Sequence, residues 1–250
     1  MPDFVTQALA TPGLGWLTLA VLAAGIVRGF SGFGSALIIM PVGSSVLSPF
    51  AAIAFLTVVE LFGPLPNLPN ALRFGKAIEV GKLLIGALIG LPIGLALLSS
   101  VSQVAFSWVV SICVLALLVI LSKGWRYTGN VKSSGVAGIG ALGGFMAGIA
   151  GLPGPPVILF YMASVNAIAT IRANFLLYLL GIDVIMIASF LFLGELDWNA
   201  VLMAVILIVP YMCANTLGAR WFRPDAERIY RLVAYAIIGA SAILGLPIWS

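Results

Sequence analysis

The chain has 250 residues, of which 62% are hydrophobic and 8% are charged, and its formal net charge is +4. Soluble domains carry about 25% charged residues, so this composition excludes an ordinary soluble protein. Apolar stretches of roughly 18 residues or more recur and predict a polytopic α-helical membrane protein. The sequence contains no histidine, the usual general base and commonest metal ligand. We therefore expect no enzyme, cofactor or metal site, and we assign the positive charge to membrane orientation rather than to nucleic-acid binding.

The apolar segments form two sets of five, which we letter a to e. We place the first set at about 14–29, 33–47, 50–69, 80–99 and 104–122. We place the second set at about 135–148, 152–164, 168–193, 198–222 and 229–248. Segments a and b are short, because sixteen helical residues reach only about 24 Å and the hydrocarbon core is about 30 Å thick. Segments a and b form either a re-entrant hairpin or two short helices that meet at a break.

One Gly-rich motif occurs in both sets, between segments a and b. Residues 29–34 read Gly-Phe-Ser-Gly-Phe-Gly, and residues 148–154, 119 positions later, read Gly-Ile-Ala-Gly-Leu-Pro-Gly. Matched Gly/Pro interruptions in the two halves of a membrane protein indicate a substrate site near the bilayer midplane. Such glycines can instead serve only close helix packing. That alternative is harder to apply to Pro153, Pro155 and Pro156, which must interrupt a helix.

The loop charges predict how the two halves are oriented. Arg73 and Lys76 lie between segments c and d of the first half, whereas Glu195 and Asp197 occupy the matching loop of the second half. Further basic residues lie in the loop between the halves and in the last d–e loop: Lys123, Arg126, Lys132, Arg220, Arg223, Arg228 and Arg231. By the positive-inside rule the basic loops are cytoplasmic and both termini are external. The halves are then inverted repeats, 1–123 and 135–250, joined by a cytoplasmic loop at 124–134. Parallel repeats are the alternative.

Five side chains within or near the apolar segments could act on a substrate. Arg28 precedes the first motif, where it is either a buried cation suited to oxyanions or a cytoplasmic anchor. Glu60 and Asp183 lie well inside c segments. Each could carry a proton or could be a structural partner of Arg28 or of another buried donor. Arg172 and Asn174 lie near the predicted cytoplasmic start of the second c segment, where Arg172 is either an anchor or a contact to an anion.

Residues 25–34 and 144–151, together with Arg172-Ala173-Asn174, resemble the TauE/SafE sulfite exporter family, also called the 4-toluene sulfonate uptake permease family. The resemblance extends over essentially the whole chain. It implies a multi-pass transporter of sulfur-containing anions in the bacterial inner membrane, often an exporter. The sequence departs from many relatives at residues 152–156, Leu-Pro-Gly-Pro-Pro, where those relatives look more Gly-rich. This departure concerns the shape of the pocket and hence the substrate.

We therefore predict a secondary transporter that exports small organosulfur anions such as sulfite or sulfoacetate by alternating access, with a substrate site between the two broken segments. The predicted substrate-binding residues are Arg28, Gly29, Ser31, Gly32, Phe33, Gly34, Gly151, Leu152, Pro153, Gly154, Arg172 and Asn174. A passive anion channel and a transporter of carboxylate anions are the alternatives. The expected partners are the lipid bilayer, the anion and a coupling proton or ion, and Gly-rich helix faces are compatible with a homodimer.

Overall fold

The computed structural model describes residues 11–63, 65–123, 133–162, 167–221 and 227–248, and no β-strand occurs among them. The helices are α1 Leu14–Ser31, α2 Ser35–Val46, α3 Pro49–Phe62, α4 Leu68–Phe74, α5 Ala77–Leu98, α6 Gln103–Ser122, α7 Ser133–Ala150, α8 Gly154–Met162, α9 Ile168–Leu193, α10 Trp198–Trp221 and α11 Glu227–Leu244. Of the predicted cytoplasmic charges, Arg126, Lys132 and Arg223 lie outside the described residues.

Within the part of the chain that the structure describes, six stretches are long and apolar enough to cross a membrane: Leu14–Ser31, Pro49–Phe74, Ala77–Leu98, Gln103–Ser122, Ala169–Leu193 and Trp198–Trp221. Helix α5 shows the surface pattern that such a span needs. It exposes Ile85, Leu88, Ile89 and Ile93, whereas Gly86 and Gly90 on its other side are buried. Large apolar side chains outside and small residues inside are typical of a membrane helix. The predicted all-α polytopic fold is confirmed.

The first c segment differs from the prediction of one helix over 50–69. Helix α3 ends at Phe62, a 3₁₀ turn follows at Leu65–Asn67, and α4 begins at Leu68. The reason is the proline content of this stretch, because Pro66 and Pro69 have no backbone N–H to donate to a helix. Both lie near the start of a short element, where a missing N–H is tolerated.

The chain forms two compact units, each assembled from separated stretches. The first unit contains Met1–Gly63, Val101–Lys123 and Glu195–Ser250, and the second contains Pro64–Ser100 and Gly124–Gly194. Each unit therefore receives its d helix from the other half of the sequence: α10 packs with α1 in the first unit, and α5 packs with α7 in the second. The inverted orientation and the repeat boundaries at 123 and 135 stay predictions.

In the first unit, α1 and α10 pack so closely that their backbones touch. A Cβ placed on Gly25 would come within 2.8 Å of both the Ala214 Cβ and the Tyr211 carbonyl oxygen. A Cβ on Gly29 would overlap the backbone of α10 at Asn215, and one on Gly218 would overlap the backbone of α1. Only glycine permits this approach, so Gly25 and Gly29 are packing residues.

In the second unit, α5 and α7 pack in the same way through glycines spaced four apart. A Cβ on any of them would meet the facing helix backbone: Gly86, Gly90 and Gly94 of α5, and Gly140, Gly144 and Gly148 of α7. The packing interpretation of the Gly-rich segments therefore applies to the glycines before each break. The packing interpretation does not account for Gly32 and Gly151, the next glycines along the chain, which lie at the breaks themselves.

Helix α3 is the core of the first unit. Every residue from Ala51 to Glu60 is buried, as expected for a helix that is apolar on all faces.

Helix α2 lies beside α3, and side chains of α6 donate hydrogen bonds to the carbonyl groups at its C-terminal end. The Gln103 amide donates to the Ser44 and Leu47 carbonyls at 2.5 and 2.7 Å, and the Ser107 hydroxyl donates to the Ser44 carbonyl at 2.7 Å. These bonds fix α2 within the unit.

Candidate functional site

Both Gly-rich motifs break the chain in the same way. Helix α1 ends at Ser31, and Gly32 adopts a φ of 79° while its N–H donates to the Arg28 carbonyl at 2.7 Å. Helix α7 ends at Ala150, and Gly151 adopts a φ of 68° while its N–H donates to the Ala147 carbonyl at 2.9 Å. Left-handed glycines that satisfy a free helix carbonyl are a common helix end. The predicted break in each set is thus confirmed.

Helices α1 and α2 form a hairpin whose tip is the first break. A Cβ placed on Gly13, just before α1, would lie 2.8 Å from both methyl carbons of Val46, the last residue of α2. The start of α1 and the end of α2 are therefore in contact. The chain reverses direction at residues 32–34. Segments a and b of the first half are thus two helices that meet at the break and run back along each other, and whether they are re-entrant stays a prediction.

Arg28 lies in the last turn of α1, beside the hairpin tip, and only 8% of it is exposed. Its Nη1 atom lies 3.0 Å from the Oε1 atom of Glu60 and donates to the Ser35 hydroxyl at 3.0 Å. The Ser35 hydroxyl in turn donates to Glu60. A buried ion pair needs such added hydrogen bonds to offset its desolvation. Arg28 is thus a buried cation, and Glu60 is its structural partner in this state.

Tyr211 of α10 completes this group, which we call the Arg28 cluster: Arg28, Ser35, Glu60 and Tyr211. The Tyr211 side chain is fully buried, and the other three side chains are its polar neighbours. Among the described residues its hydroxyl donates to no acceptor. Sequence reasoning missed Ser35, although it directly follows the first motif. It also missed Tyr211, which no motif marks.

The hairpin tip presents backbone next to the Arg28 cluster. The Ser31 hydroxyl lies 2.6 Å from both the Val27 and Phe33 carbonyl oxygens and accepts the Phe33 N–H at 3.3 Å, which holds the turn. Gly32 is exposed, and no described atom lies within 4 Å of a Cβ built on it. Gly34 has a φ of 97° and Ser35 begins α2. The structure therefore places residues 31–34 in the turn that links Arg28 to Ser35, whereas Gly29 faces α10.

In the second unit, the residues of the second break are more deeply buried than Gly32 at the first break. Gly151, Leu152 and Pro153 are buried, and a Cβ on Gly154 would lie 3.2 Å from the Phe175 ring. Asp183 of α9 is also buried, with Tyr178 as a neighbour. No group of three or more potential metal-binding side chains occurs in the described part of the chain.

Asn174 is fully buried in the second unit and connects three elements. Its side-chain oxygen accepts the Lys76 backbone N–H at 2.6 Å, and its amide donates to Glu79 at 3.2 Å. The Tyr161 hydroxyl lies beside Asn174 and Glu79. Arg172, two residues before Asn174, is exposed. The arrangement fits a structural tie from α9 to the start of α5, and the predicted ligand role of both residues stays a prediction.

The spans, the matched helix breaks and the buried charges define a polytopic membrane protein of the kind typical of secondary transporters. The chain belongs to the TauE/SafE family, because the family model described as "Sulfite exporter TauE/SafE" matches residues 17–244. It is similar to the "Probable sulfite/organosulfonate exporter TauE" of Cupriavidus necator, with 27% identity over 237 residues that cover 91% of this chain and 92% of that protein. No solved structure matches the chain significantly. The resemblance stated from the two motifs is confirmed.

Proposed function

We propose that this protein is a secondary transporter that exports small sulfur-containing anions, such as sulfite or an organosulfonate, across the bacterial inner membrane. Family membership and the name of the relative support the substrate class. The observation that carries the proposal is the buried Arg28 at the tip of a broken hairpin. Cations within membrane proteins are costly and usually mark substrate or ion pathways.

The chemistry of the Arg28 cluster fits an oxyanion. A guanidinium group binds two oxygens of a sulfonate or sulfite in its planar fork. The first N–H groups of α2 add donors at a helix N-terminus, which favours negative charge. The open space at Gly32 gives the anion a way to approach this backbone.

Glu60 is the residue that would bind a coupling proton. It neutralises Arg28 in the present state, so an anion that binds Arg28 adds a second negative charge beside one positive charge. Uptake of a proton by Glu60 restores the charge balance, because two carboxylate-like charges at one site repel each other. Anion and proton would then move together as the site alternates between the two sides of the membrane. Asp183, buried in α9, is the second candidate for this role.

The test is a thermal-shift screen of the purified protein against sulfite, thiosulfate, sulfoacetate, acetate and succinate, because a ligand that binds the folded state raises its apparent stability. The variant is Arg28→Met/Glu60→Gln, which removes both charges and so leaves neither one unpaired. The matched control is Arg220→Gln, which removes an exposed arginine. We expect sulfur anions to stabilise the wild type and the control but not the double variant. Equal stabilisation of the double variant would contradict a site at Arg28.

Flux measurements distinguish the transporter from a channel. We expect saturable counterflow of labelled sulfite in proteoliposomes, and we expect net sulfite flux driven by an imposed pH gradient to fall when a proton uncoupler is added. Non-saturable flux without counterflow would indicate a passive anion channel. Saturable sulfite flux that an uncoupler leaves unchanged would remove the proton role of Glu60 and leave the transporter in place.

A further inference from the structure

Tyr211 occupies a position that two glycines keep open for it. Gly25 of α1 lies against the Tyr211 carbonyl oxygen, where an added Cβ would come within 2.8 Å. Gly63, just after α3, lies against the ring, where an added Cβ would come within 2.9 Å of the Cε1 atom. The ring is fully buried between these contacts. Its hydroxyl is thereby held beside Arg28, Ser35 and Glu60.

The hydroxyl of Tyr211 is a donor that the present state does not use. Arg28 bonds to both Glu60 and Ser35, and Ser35 bonds to Glu60. The Tyr211 oxygen faces the Arg28 and Ser35 donors, whereas its proton is donated to no acceptor among the described residues, although the group is fully buried beside them. A buried polar group without a partner destabilises a protein, so native structures contain few of them. A functional ligand that supplies the acceptor would explain why this one is present.

We propose that the Tyr211 hydroxyl binds an oxygen of the transported anion and makes the Arg28 site selective for sulfonate-type anions over carboxylates. This inference rests on the proposed function and assigns the class of ligand. The Arg28 fork takes two oxygens of the anion, and a sulfonate or sulfite still has a third oxygen for Tyr211. A carboxylate has only the two oxygens that the Arg28 fork already holds, so it reaches the Tyr211 hydroxyl only by sharing one of them, which gives a weaker contact than a separate third oxygen. Sites with a buried donor reject ligands that leave it unpaired.

The test compares wild type with Tyr211→Phe, which deletes only the hydroxyl and keeps the ring in its place. Methanesulfonate and acetate are the probes, because both have one methyl group and one negative charge and they differ in oxygen count. A hydrogen bond to a charged group makes a contribution that corresponds to roughly ten- to a hundredfold in affinity. We expect Tyr211→Phe to weaken methanesulfonate and sulfite binding by that factor and to change acetate binding less than about threefold.

The control variant is Tyr235→Phe. The Tyr235 hydroxyl also belongs to the first unit, but it donates to the Leu121 carbonyl at 3.1 Å and is not part of the Arg28 cluster. We expect this control to lose some stability and keep its affinity for methanesulfonate. Ligand-free Tyr211→Phe should be as stable as wild type or more stable, because it removes an unpaired buried group.

Two outcomes would overturn the anion-binding role of Tyr211 and leave the proposed function in place. One is methanesulfonate binding that Arg28→Met/Glu60→Gln abolishes and Tyr211→Phe preserves. The other is a ligand-free Tyr211→Phe protein that is clearly less stable than wild type, which would show that the hydroxyl has a structural partner. Failure of the wild type to bind sulfite or methanesulfonate at all would instead overturn the proposed function, and this inference with it.

Discussion

Replacing Arg28 with methionine tests whether the buried ion pair exists as described. The substitution keeps most of the side-chain volume, but it removes the cation that lies 3.0 Å from the Glu60 carboxylate. Less than a tenth of either side chain is exposed, so solvent screens the pair little. Removing one partner of a buried pair costs about 3–5 kcal/mol, since the remaining charge is uncompensated. Glu60→Gln alone should cost a similar amount for the same reason.

The double variant Arg28→Met/Glu60→Gln is the informative one. It leaves no unpaired charge, so we expect it to lose less than about 2 kcal/mol, far below the sum of the two single losses. In thermal unfolding followed by tryptophan fluorescence, the single variants should lower Tm by roughly 6–20 °C, from about 2–4 °C per kcal/mol for a chain of this size. Single losses that simply add in the double variant, or single shifts below about 2 °C, would refute the buried pair.

Three further predictions concern the backbone and the second unit. Gly140→Ala should lower Tm by several degrees in thermal unfolding, because its Cβ would meet the facing α5 backbone. Gly138→Ala in the same helix is the control. Its Cβ meets nothing within 4 Å, so this substitution should be neutral or stabilising. Gly32→Ala should cost about 1–2 kcal/mol through its left-handed φ of 79° alone, and a loss no larger than that of Gly138→Ala would contradict the break. Asn174→Ala should cost about 1–3 kcal/mol, since the Lys76 N–H and Glu79 lose a partner. If it abolished sulfite binding at unchanged stability, Asn174 would be a ligand rather than a structural tie.

The sequence was sufficient to predict the spans and the two breaks, because apolar length and Gly/Pro interruptions are local properties of the chain. It could not separate the roles of neighbouring glycines. Gly29 and Gly32 belong to one motif, yet Gly29 contacts α10 while Gly32 reverses the chain. That difference depends on which helix packs against α1, and nothing within the motif specifies its partner.

The candidate site was only partly predictable for the same reason. Arg28 and Glu60 were identifiable because charges inside apolar segments are rare, and their pairing was one of the alternatives. Tyr211 lies 183 positions after Arg28 in the chain, and its sequence neighbourhood resembles that of any membrane-facing aromatic residue. Its relevance follows from the packing of α10 on α1, which brings a helix from the second half of the sequence into the first unit.

The most direct test of the account is counterflow of labelled sulfite in proteoliposomes, with wild type, Arg28→Met/Glu60→Gln and Arg220→Gln measured at equal reconstituted amounts. We expect wild type and Arg220→Gln to exchange sulfite at similar saturable rates, and the double variant, folded by the same thermal assay, to show no exchange above empty liposomes. Sulfite exchange by the double variant at the wild-type rate would contradict the claim that the buried Arg28 binds the transported anion.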